Sequence, residues 1–233
     1  MAATTRFLTL GDGDLSYSVA LTRALPSAAI TATTYLSEAD LLATYDGAAA
    51  AIAELRERGA CVLHGVDASA PLPAAQFDHI IFNLPHLGLA QLADEAESRR
   101  RHRALIAHFL HEAAASLAPG GVVHLTLTGQ QPRLWAALPA ARRAGLVLVQ
   151  ACEPTTPAAF LLEPTISVRA AEAGWAAARR YRTGVLGTRH WLSKYGYEHR
   201  RCDGDGALRL DLAVELTFSR PADAAAVASR LPA

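Results

Sequence analysis

Short apolar runs alternate with amphipathic segments along the first two thirds of the chain. Runs of about five to eight residues rich in β-branched side chains predict strands, and longer segments with apolar residues three or four apart predict helices. This alternation indicates an α/β fold with a doubly wound, mostly parallel, Rossmann-like sheet. The predicted strands are Arg6–Leu10, Ala29–Leu36, Cys61–Val66, Asp78–Asn83, Gly121–Leu127 and Gly145–Ala151.

Four helices are predicted between these strands. The third carries an apolar stripe, with Leu105, Phe109 and Leu117 at roughly helical spacing, which would pack on the sheet. The sequence Ala-Pro-Gly-Gly at 118–121 is expected to end this helix and to start the next strand. The predicted helices are Asp14–Leu25, Asp46–Arg58, Arg100–Leu117 and Arg133–Ala144.

The pattern weakens after residue 152. Prolines at 154, 157 and 164 are followed by a segment rich in arginine and aromatic residues, which predicts an irregular insertion at about 153–206. Residues Leu208–Arg220 alternate again and predict a last strand. A chain of 233 residues, 51% of them hydrophobic, is expected to form a single domain over 1–233.

Composition narrows the function classes only in part. A formal net charge of zero removes the simplest electrostatic argument for a nucleic-acid partner, although a local basic patch could still bind one. The three cysteines lie outside any metal-binding spacing, so no metal site is expected. A long apolar stretch and a charged leader are both absent from the sequence, which favours a cytoplasmic protein without a membrane partner. The oligomeric state is left open.

The turn after the first predicted strand has the spacing of a nucleotide-binding loop. In the sequence LTLGDGDLSYS, Gly11, Gly13 and Ser16 occupy the positions of a G-x-G-x-x-small pattern. The first glycine allows a tight turn, and the second lets the backbone approach a ligand. The start of the following helix offers free N–H groups, which suit a pyrophosphate or a carboxylate equally.

Two acidic residues in this turn distinguish the ligands. Asp12 and Asp14 would repel a pyrophosphate but attract the amino group and the sulfonium of S-adenosylmethionine (SAM). The alternative for Asp14 is that it only caps the helix, and the two roles can coexist. The turn therefore favours SAM as the cofactor.

The next two strand ends supply further candidates for cofactor binding. Tyr35 lies at the end of the second strand, and Glu38 comes two residues after that strand, where it could bind ribose hydroxyls or cap the next helix. The third ends in His-Gly-Val-Asp, which places Asp67 where it could take the adenine amino group. The alternative for Asp67 is a turn stabilised by its own side chain.

The fourth strand ends in Asn-Leu-Pro-His, which resembles the Asn-x-Pro-aromatic turn of enzymes that methylate amines or bases, with histidine in place of the aromatic residue. The Asn83 amide and the backbone carbonyl could hold a planar nitrogen nucleophile, and the residue after Pro85 could lie against its ring. His86 stands at that position, where it could accept a proton or only stack. Asn83, Pro85 and His86 are therefore the catalytic candidates.

These motifs, in this order and spacing, resemble the Rossmann-like, SAM-dependent domain of the 25S rRNA (uridine-N3)-methyltransferases. The resemblance covers about residues 6 to 90. Family members have phenylalanine where this chain has Leu15, Tyr17 and Leu84, and commonly histidine where it has Phe82. The resemblance implies a class I SAM-dependent methyltransferase fold, SAM binding by the glycine turn and Asp67, and a substrate role for the Asn-Leu-Pro-His turn.

Uridine N3 in rRNA is the acceptor that the resemblance implies. Because this nitrogen carries a proton at neutral pH, a base or an environment that favours the anion is needed. The segment from Trp175 to Arg201 interleaves aromatic and basic residues, as a loop-RNA site would require. Its candidate substrate-binding residues are Arg179, Arg180, Arg182 and Trp191. The alternative is a solvated lid that closes over a small substrate.

Other functions remain open at this stage. A small nitrogen heterocycle could replace RNA as the acceptor, and a non-catalytic SAM- or nucleotide-binding domain would share the fold. An NAD-dependent oxidoreductase is disfavoured by Asp12 and Asp14 and by the late position of Glu38. A basic run at 98–103, at the start of the third predicted helix, could hold an anion or be a solvated helix end.

Overall fold

The computed structural model describes residues 4–87, 94–152, 190–197, 200–201, 204–207 and 213–229. Within this part of the chain, seven strands form one sheet in the order β3-β2-β1-β4-β5-β9-β6. The first five strands of that order are parallel, whereas β9 runs antiparallel to both β5 and β6. The predicted mostly parallel α/β sheet is therefore confirmed.

The strand bounds follow the apolar runs closely. A further pair, β7 and β8, forms a separate two-stranded sheet within the segment predicted to be irregular. The strands are β1 Arg6–Leu10, β2 Ala29–Thr33, β3 Cys61–Leu63, β4 Phe77–Asn83, β5 Leu117–Thr128, β6 Val147–Cys152, β7 Arg200–Arg201, β8 Gly204–Ala207 and β9 Ala213–Ser219.

Helices cover both faces of the sheet. The long helix α4 places its apolar stripe on one face, where Phe109 and Leu110 are fully buried against β4 and β5. On the other face, α1 packs with the 3-10 helix Trp191–Tyr195. The helices are α1 Ser16–Ala24, α2 Glu38–Thr44, α3 Ala48–Glu57, α4 Glu95–Ser116, α5 Gln131–Leu134, α6 Ala137–Arg143 and a last described helix Ala224–Ala228.

Several elements differ from the sequence prediction. Helix α4 begins at Glu95 and not at Arg100, because the Asp94 side chain caps it by accepting the N–H of Glu97. Helix α2 was not predicted at all. The Ala-Pro-Gly-Gly segment lies inside β5, since Leu117 already pairs with Phe77 and the register then shifts at a bulge.

The glycine at the end of that segment is required by the close packing of the bulge. A Cβ on Gly121 would lie 2.9 Å from the carbonyl oxygen of Phe77 and 3.0 Å from that of Ala118.

None of the helices in the described ranges is long and apolar enough to cross a membrane. The same ranges contain no group of three or more His, Cys, Asp or Glu side chains that could hold a metal ion.

Candidate functional site

The candidate site lies where the strand order reverses, between β1 and β4. Ligands of such sheets bind outside the carboxyl ends of the strands at this reversal. Because Leu10 of β1 is in register with Phe82 of β4, the turn after β1 and the turn after β4 lie side by side. The two most informative motifs of the sequence therefore meet at one edge of the sheet.

Gly11 and Gly13 shape the first turn. Gly11 has a φ of +60°, and a Cβ there would lie 2.8 Å from the Phe82 ring. A Cβ on Gly13 would lie 3.1 Å from the Tyr45 hydroxyl, so a side chain at this position would crowd Tyr45. Only glycine combines the left-handed backbone of position 11 with this close contact.

Asp12 has two roles at this turn. Its carboxylate accepts hydrogen bonds from the backbone N–H of Ser18 at 2.7 Å and from the Ser18 hydroxyl at 2.6 Å, which caps the first turn of α1. Burial, together with the charge of Asp14, raises the pKa of Asp12 to about 7, although its hydrogen bonds oppose the rise. A cation beside Asp12 would favour the charged carboxylate again.

Asp14 makes a similar pair of hydrogen bonds, to a residue only two positions further along the chain. Its carboxylate accepts the backbone N–H of Ser16 at 3.0 Å and the Ser16 hydroxyl at 2.6 Å. The N-cap position itself is Leu15, a buried residue with a φ of +62°, and its side chain cannot cap the helix. Asp14 therefore caps the helix in place of Leu15. The capping role that the sequence analysis considered for Asp14 is present.

The end of the second strand presents Tyr35 and Glu38. Tyr35 is 69% exposed, beyond the end of β2. The cap of α2 is Ser37, so the capping role considered for Glu38 belongs to its neighbour. The Glu38 carboxylate instead lies 3.4 Å from Arg56 Nη2 and 4.0 Å from His64 Nε2. These two contacts fix the position of the Glu38 side chain. Binding of ribose hydroxyls by Glu38 stays a prediction.

Asp67 lies in a turn that follows β3. Its carboxylate accepts the backbone N–H of Ser69 at 2.8 Å and the Ser69 hydroxyl at 2.7 Å. This is the local turn that the sequence interpretation kept as an alternative. The side chain is exposed, so its second oxygen faces outward. Adenine recognition by Asp67 stays a prediction.

Asn83 is oriented by β5. The Thr126 hydroxyl on β5 donates to Asn83 Oδ1 at 2.7 Å. Burial raises the pKa of Tyr17 on α1, and the nearby Asn83 side chain opposes this rise. Because Oδ1 accepts from Thr126, the NH₂ group is the end of the amide that is left for other partners. The following turn is strained, since Leu84 has a φ of +48°. Pro85 is buried behind it.

His86 is exposed and lies beside a stacked pair of rings. Its ring centroid lies 5.2 Å from that of His102 on α4, with the two ring planes tilted by 54°, and His102 stacks on Trp135 at 4.1 Å with an interplanar angle of 7°. His102 also hydrogen-bonds the Ser98 carbonyl through Nδ1 at 2.8 Å. Burial lowers the pKa of His102, and the charge of His86 lowers it further. Stacking and proton transfer by His86 both stay predictions.

The predicted substrate-binding residues are only partly described. Arg179, Arg180 and Arg182 lie outside the described residues. Trp191 is 5% exposed and packs with Phe7 in the core below α1. Its ring faces core residues here, an arrangement that does not favour stacking on a base.

The basic run at 98–103 is a solvated helix end. Arg99 pairs with Glu95 at 3.0 Å, and Glu97 pairs with Arg100 at 2.7 Å and with Arg101 at 2.6 Å. These acidic residues in the first turn of α4 neutralise the arginines and suit the helix dipole. The charges therefore need no bound anion.

Sequence reasoning missed several residues around the crevice. Tyr17 was predicted only as part of a helix. Its ring centroid lies 5.3 Å from that of Tyr197 in an edge-to-face arrangement, and the Asn83 side chain influences the pKa of its hydroxyl. Burial and the charge of Asp12 raise the pKa of Tyr197, which places this ring near the acidic turn. Thr126 was read only as part of a strand. Each of these contacts joins residues far apart in the chain, so local patterns do not reveal them.

Comparison with known proteins identifies related sequences. Residues 8–156 match a family described as rRNA (uridine-N3-)-methyltransferase BTM5-like. The chain is 32% identical over 152 residues to heavy metal-associated isoprenylated plant protein 41 of Arabidopsis thaliana, which covers 62% of this chain and 30% of that protein. It is 39% identical over 131 residues to a ferredoxin-fold anticodon-binding domain-containing protein 1 homolog of Mus musculus, covering 52% and 20%. The chain thus spans less than a third of either relative.

A solved structure is also similar in fold. A TehB-like SAM-dependent methyltransferase from Corynebacterium glutamicum aligns over 94% of this chain and 82% of its own, with 13% identity and a TM-score of 0.49. At this level of similarity the comparison bears on neither the acceptor nor the site residues.

Proposed function

The chain belongs to the family described as rRNA (uridine-N3-)-methyltransferase BTM5-like, and from this premise we propose that it uses SAM to methylate N3 of a uridine in rRNA. The observation that carries the proposal is the meeting of the acidic glycine turn with the Asn83 turn at the reversal of the sheet. The first turn suits a cationic cofactor, and the second suits a planar acceptor. Their adjacency is what a direct group transfer between the two ligands requires.

The residues of the first turn fit SAM. Asp12 and Asp14 place two carboxylates on either side of Gly13. Burial and the charge of Asp14 raise the pKa of Asp12, and the amino group and sulfonium of SAM would supply positive charge that favours its carboxylate form. A dinucleotide pyrophosphate would add negative charge to the same place. The charge of the turn therefore supports SAM over NAD.

SAM supplies an electrophilic methyl group on a positively charged sulfur. The chain's contribution is to place the acceptor nitrogen in line with that methyl group and to exclude water. Because the Thr126 hydroxyl occupies Asn83 Oδ1, the Asn83 NH₂ group is available as a donor. It can donate to a uracil carbonyl beside N3, where negative charge develops once the N3 proton has passed to solvent, before the methyl group moves from the SAM sulfur to N3.

His86 would lie against the face of the acceptor base. Its ring lies 5.2 Å, between centroids, from His102, which is itself stacked on Trp135. The exposed ring of His86 can meet a base, and the Thr126 hydroxyl fixes the Asn83 amide. We therefore assign His86 to stacking and Asn83 to orientation of the acceptor.

A small nitrogen heterocycle is the second candidate acceptor. The paired arginines at 99–101 and the buried Trp191 remove two features that sequence reasoning offered in favour of RNA. Arg179, Arg180 and Arg182 remain as the predicted RNA contacts. Each lost phosphate contact would reduce the slope of log affinity against log salt by about one.

The two acceptors are separated by a binding and transfer assay. Calorimetry with SAM, S-adenosylhomocysteine and NAD first establishes the cofactor class. Methyl transfer from labelled SAM is then measured with rRNA and with free uridine and uracil. We expect transfer to rRNA, with a salt slope that falls when the three arginines are replaced by alanine. Transfer to the free base alone, or binding of NAD in preference to SAM, would refute the proposal.

A further inference from the structure

Thr126 lies directly beside the Asn83 turn, near the carboxyl end of β5. Asn83 on β4 is in register with Thr126, and register partners in neighbouring strands direct their side chains to the same face of a sheet. Only 2% of Thr126 is exposed, whereas Asn83 is partly buried. Thr126 therefore contacts the inner end of the Asn83 amide and leaves its outer end accessible.

Two hydrogen bonds join Thr126 to this turn. Its hydroxyl donates to Asn83 Oδ1 at 2.7 Å, and its backbone carbonyl accepts the N–H of Leu84 at 2.9 Å. Leu84 has a φ of +48°, so the second bond holds the strained step of the turn. The backbone bond does not depend on the side chain at position 126. The orientation of the Asn83 amide therefore depends on the hydroxyl alone.

The hydroxyl bond sets the chemical character of the outer end of the amide. An asparagine amide has an oxygen that only accepts and a nitrogen that only donates, so an oxygen held by a donor leaves the NH₂ group outermost. Within the described part of the chain, the Thr126 hydroxyl has no other acceptor. A rotated amide would thus leave the Thr126 proton buried without a partner, which is costly.

A donor at this position favours one class of acceptor. In uracil, N3 lies between two carbonyl groups, and either can accept from the Asn83 NH₂ group. An exocyclic amine, such as N6 of adenine or N4 of cytosine, presents N–H groups of its own. It would either leave the Asn83 donor unpaired or engage it with the same lone pair that has to attack the methyl group.

We propose that Thr126 is a positioning residue that makes the site selective for a ring nitrogen flanked by carbonyl groups over an exocyclic amine. The inference rests on the proposed function, because it assigns the source of selectivity in that same site. Thr126 acts through Asn83, by keeping the amide nitrogen turned toward the acceptor. Its bond to Leu84 fixes the turn, and its hydroxyl fixes which amide atom faces outward.

Substitutions at position 126 separate the hydroxyl from the fold. Thr126→Val keeps the branched shape and the backbone bond, and Thr126→Ser keeps the hydroxyl. Thr217→Val is the matched control, since Thr217 is buried on the same sheet face and its hydroxyl has no hydrogen-bond partner among the described residues.

The readout is the single-turnover formation of N3-methyluridine in rRNA, measured by mass spectrometry. We expect Thr126→Val to slow it at least about tenfold with SAM affinity within about twofold of the parent, and Thr126→Ser to restore most of the loss. Thr217→Val should match the parent. Equal rates for Thr126→Val and the parent would overturn the inference.

Asn83→Asp tests which atom faces the acceptor. Aspartate can still accept from the Thr126 hydroxyl, but it turns a carboxylate oxygen toward the acceptor in place of the NH₂ group. Formation of N3-methyluridine should therefore fall at least about a hundredfold, because two acceptors would face each other. Parent-like formation by Asn83→Asp would show that the amide oxygen faces the acceptor, and would overturn the inference.

A readout that needs no acceptor keeps this test separate from the proposed function. Neutron diffraction from crystals of the parent exchanged into D₂O locates the deuterons of both side chains. We expect the Thr126 hydroxyl deuteron to be directed at Asn83 Oδ1, with both amide deuterons at the outer end. Amide deuterons directed at Thr126 Oγ1 would overturn the inference. If the parent forms no N3-methyluridine, the proposed function fails, and the neutron result still decides the orientation on which the inference depends.

Discussion

The Asp12 carboxylate lies 2.7 Å from the backbone nitrogen of Ser18, so the acid that we propose for SAM binding also caps the helix behind it. One residue therefore couples the charge of the glycine turn to the start of α1. The bond to the Ser18 hydroxyl at 2.6 Å strengthens this coupling. Two consequences for pH dependence follow.

SAM affinity should rise as the pH passes through about 7. Ligand-free Asp12 has a pKa of about 7, and a bound cation favours its charged form, so binding below this pH must release a proton. Calorimetry at pH 6 in two buffers of different ionisation enthalpy measures that proton. We expect release by the parent and a smaller release by Asp12→Asn, which also binds SAM more weakly. Equal proton release by the two proteins would exclude Asp12 as its source.

The stability of the ligand-free protein should change in the opposite sense. Because the folded-state pKa of Asp12 lies above its ordinary value of 3.8, its contribution to stability is fully present below about pH 4 and is lost as the pH rises to about 7. Asn at this position can still accept the Ser18 N–H without a charge. Asp12→Asn should therefore have a higher Tm than the parent at pH 8 and a similar Tm at pH 4. A constant difference across this range would contradict the shift.

The packing of Gly11 can be tested against a second glycine. Gly11 and Gly59 both have positive φ, but only at Gly11 would a Cβ meet a side chain, the Phe82 ring at 2.8 Å. Gly59→Ala should cost about 1 kcal/mol of unfolding free energy from backbone strain. Gly11→Ala should cost about 1–3 kcal/mol more because the ring must move. Denaturant unfolding of both variants gives the comparison, and equal costs would show that the ring yields freely.

His86 should act by stacking. His86→Phe keeps a ring that can lie on His102, so we expect methyl transfer within about threefold of the parent and an unchanged pH profile. His86→Ala should be slower because the stacking surface is lost. The measurement is single-turnover transfer against pH with SAM saturating. If His86→Phe is inactive near neutral pH and recovers as the pH rises, His86 is a base instead.

The fold was largely predictable because strands and helices leave local patterns. β1, β4 and β6 lie within two residues of their predicted bounds, since each is a short apolar run ended by a turn. Helix α2 was missed because its seven residues, Glu38–Thr44, are too few to show a clear period. The bulge at Gly121 was missed because a helix-ending signal and a strand start share the same residues.

Site residues were predictable from the sequence only where they belong to a recognisable turn motif. Asn83 stood out because a buried strand ends in an unusual sequence, whereas Thr126 looked like any polar residue in a strand. Its role depends on the register of β4 against β5, which arises from the packing of the whole sheet.

The most direct test of the account is nucleoside analysis of methylated rRNA. Ribosomal RNA from source cells that lack the gene is incubated with the protein and SAM, digested to nucleosides and examined by mass spectrometry. We expect N3-methyluridine with the parent, at least about a hundredfold less with Asn83→Ala, and SAM affinity within about twofold in that variant. An absence of N3-methyluridine with the parent, or a parent-like yield with Asn83→Ala, would contradict the account.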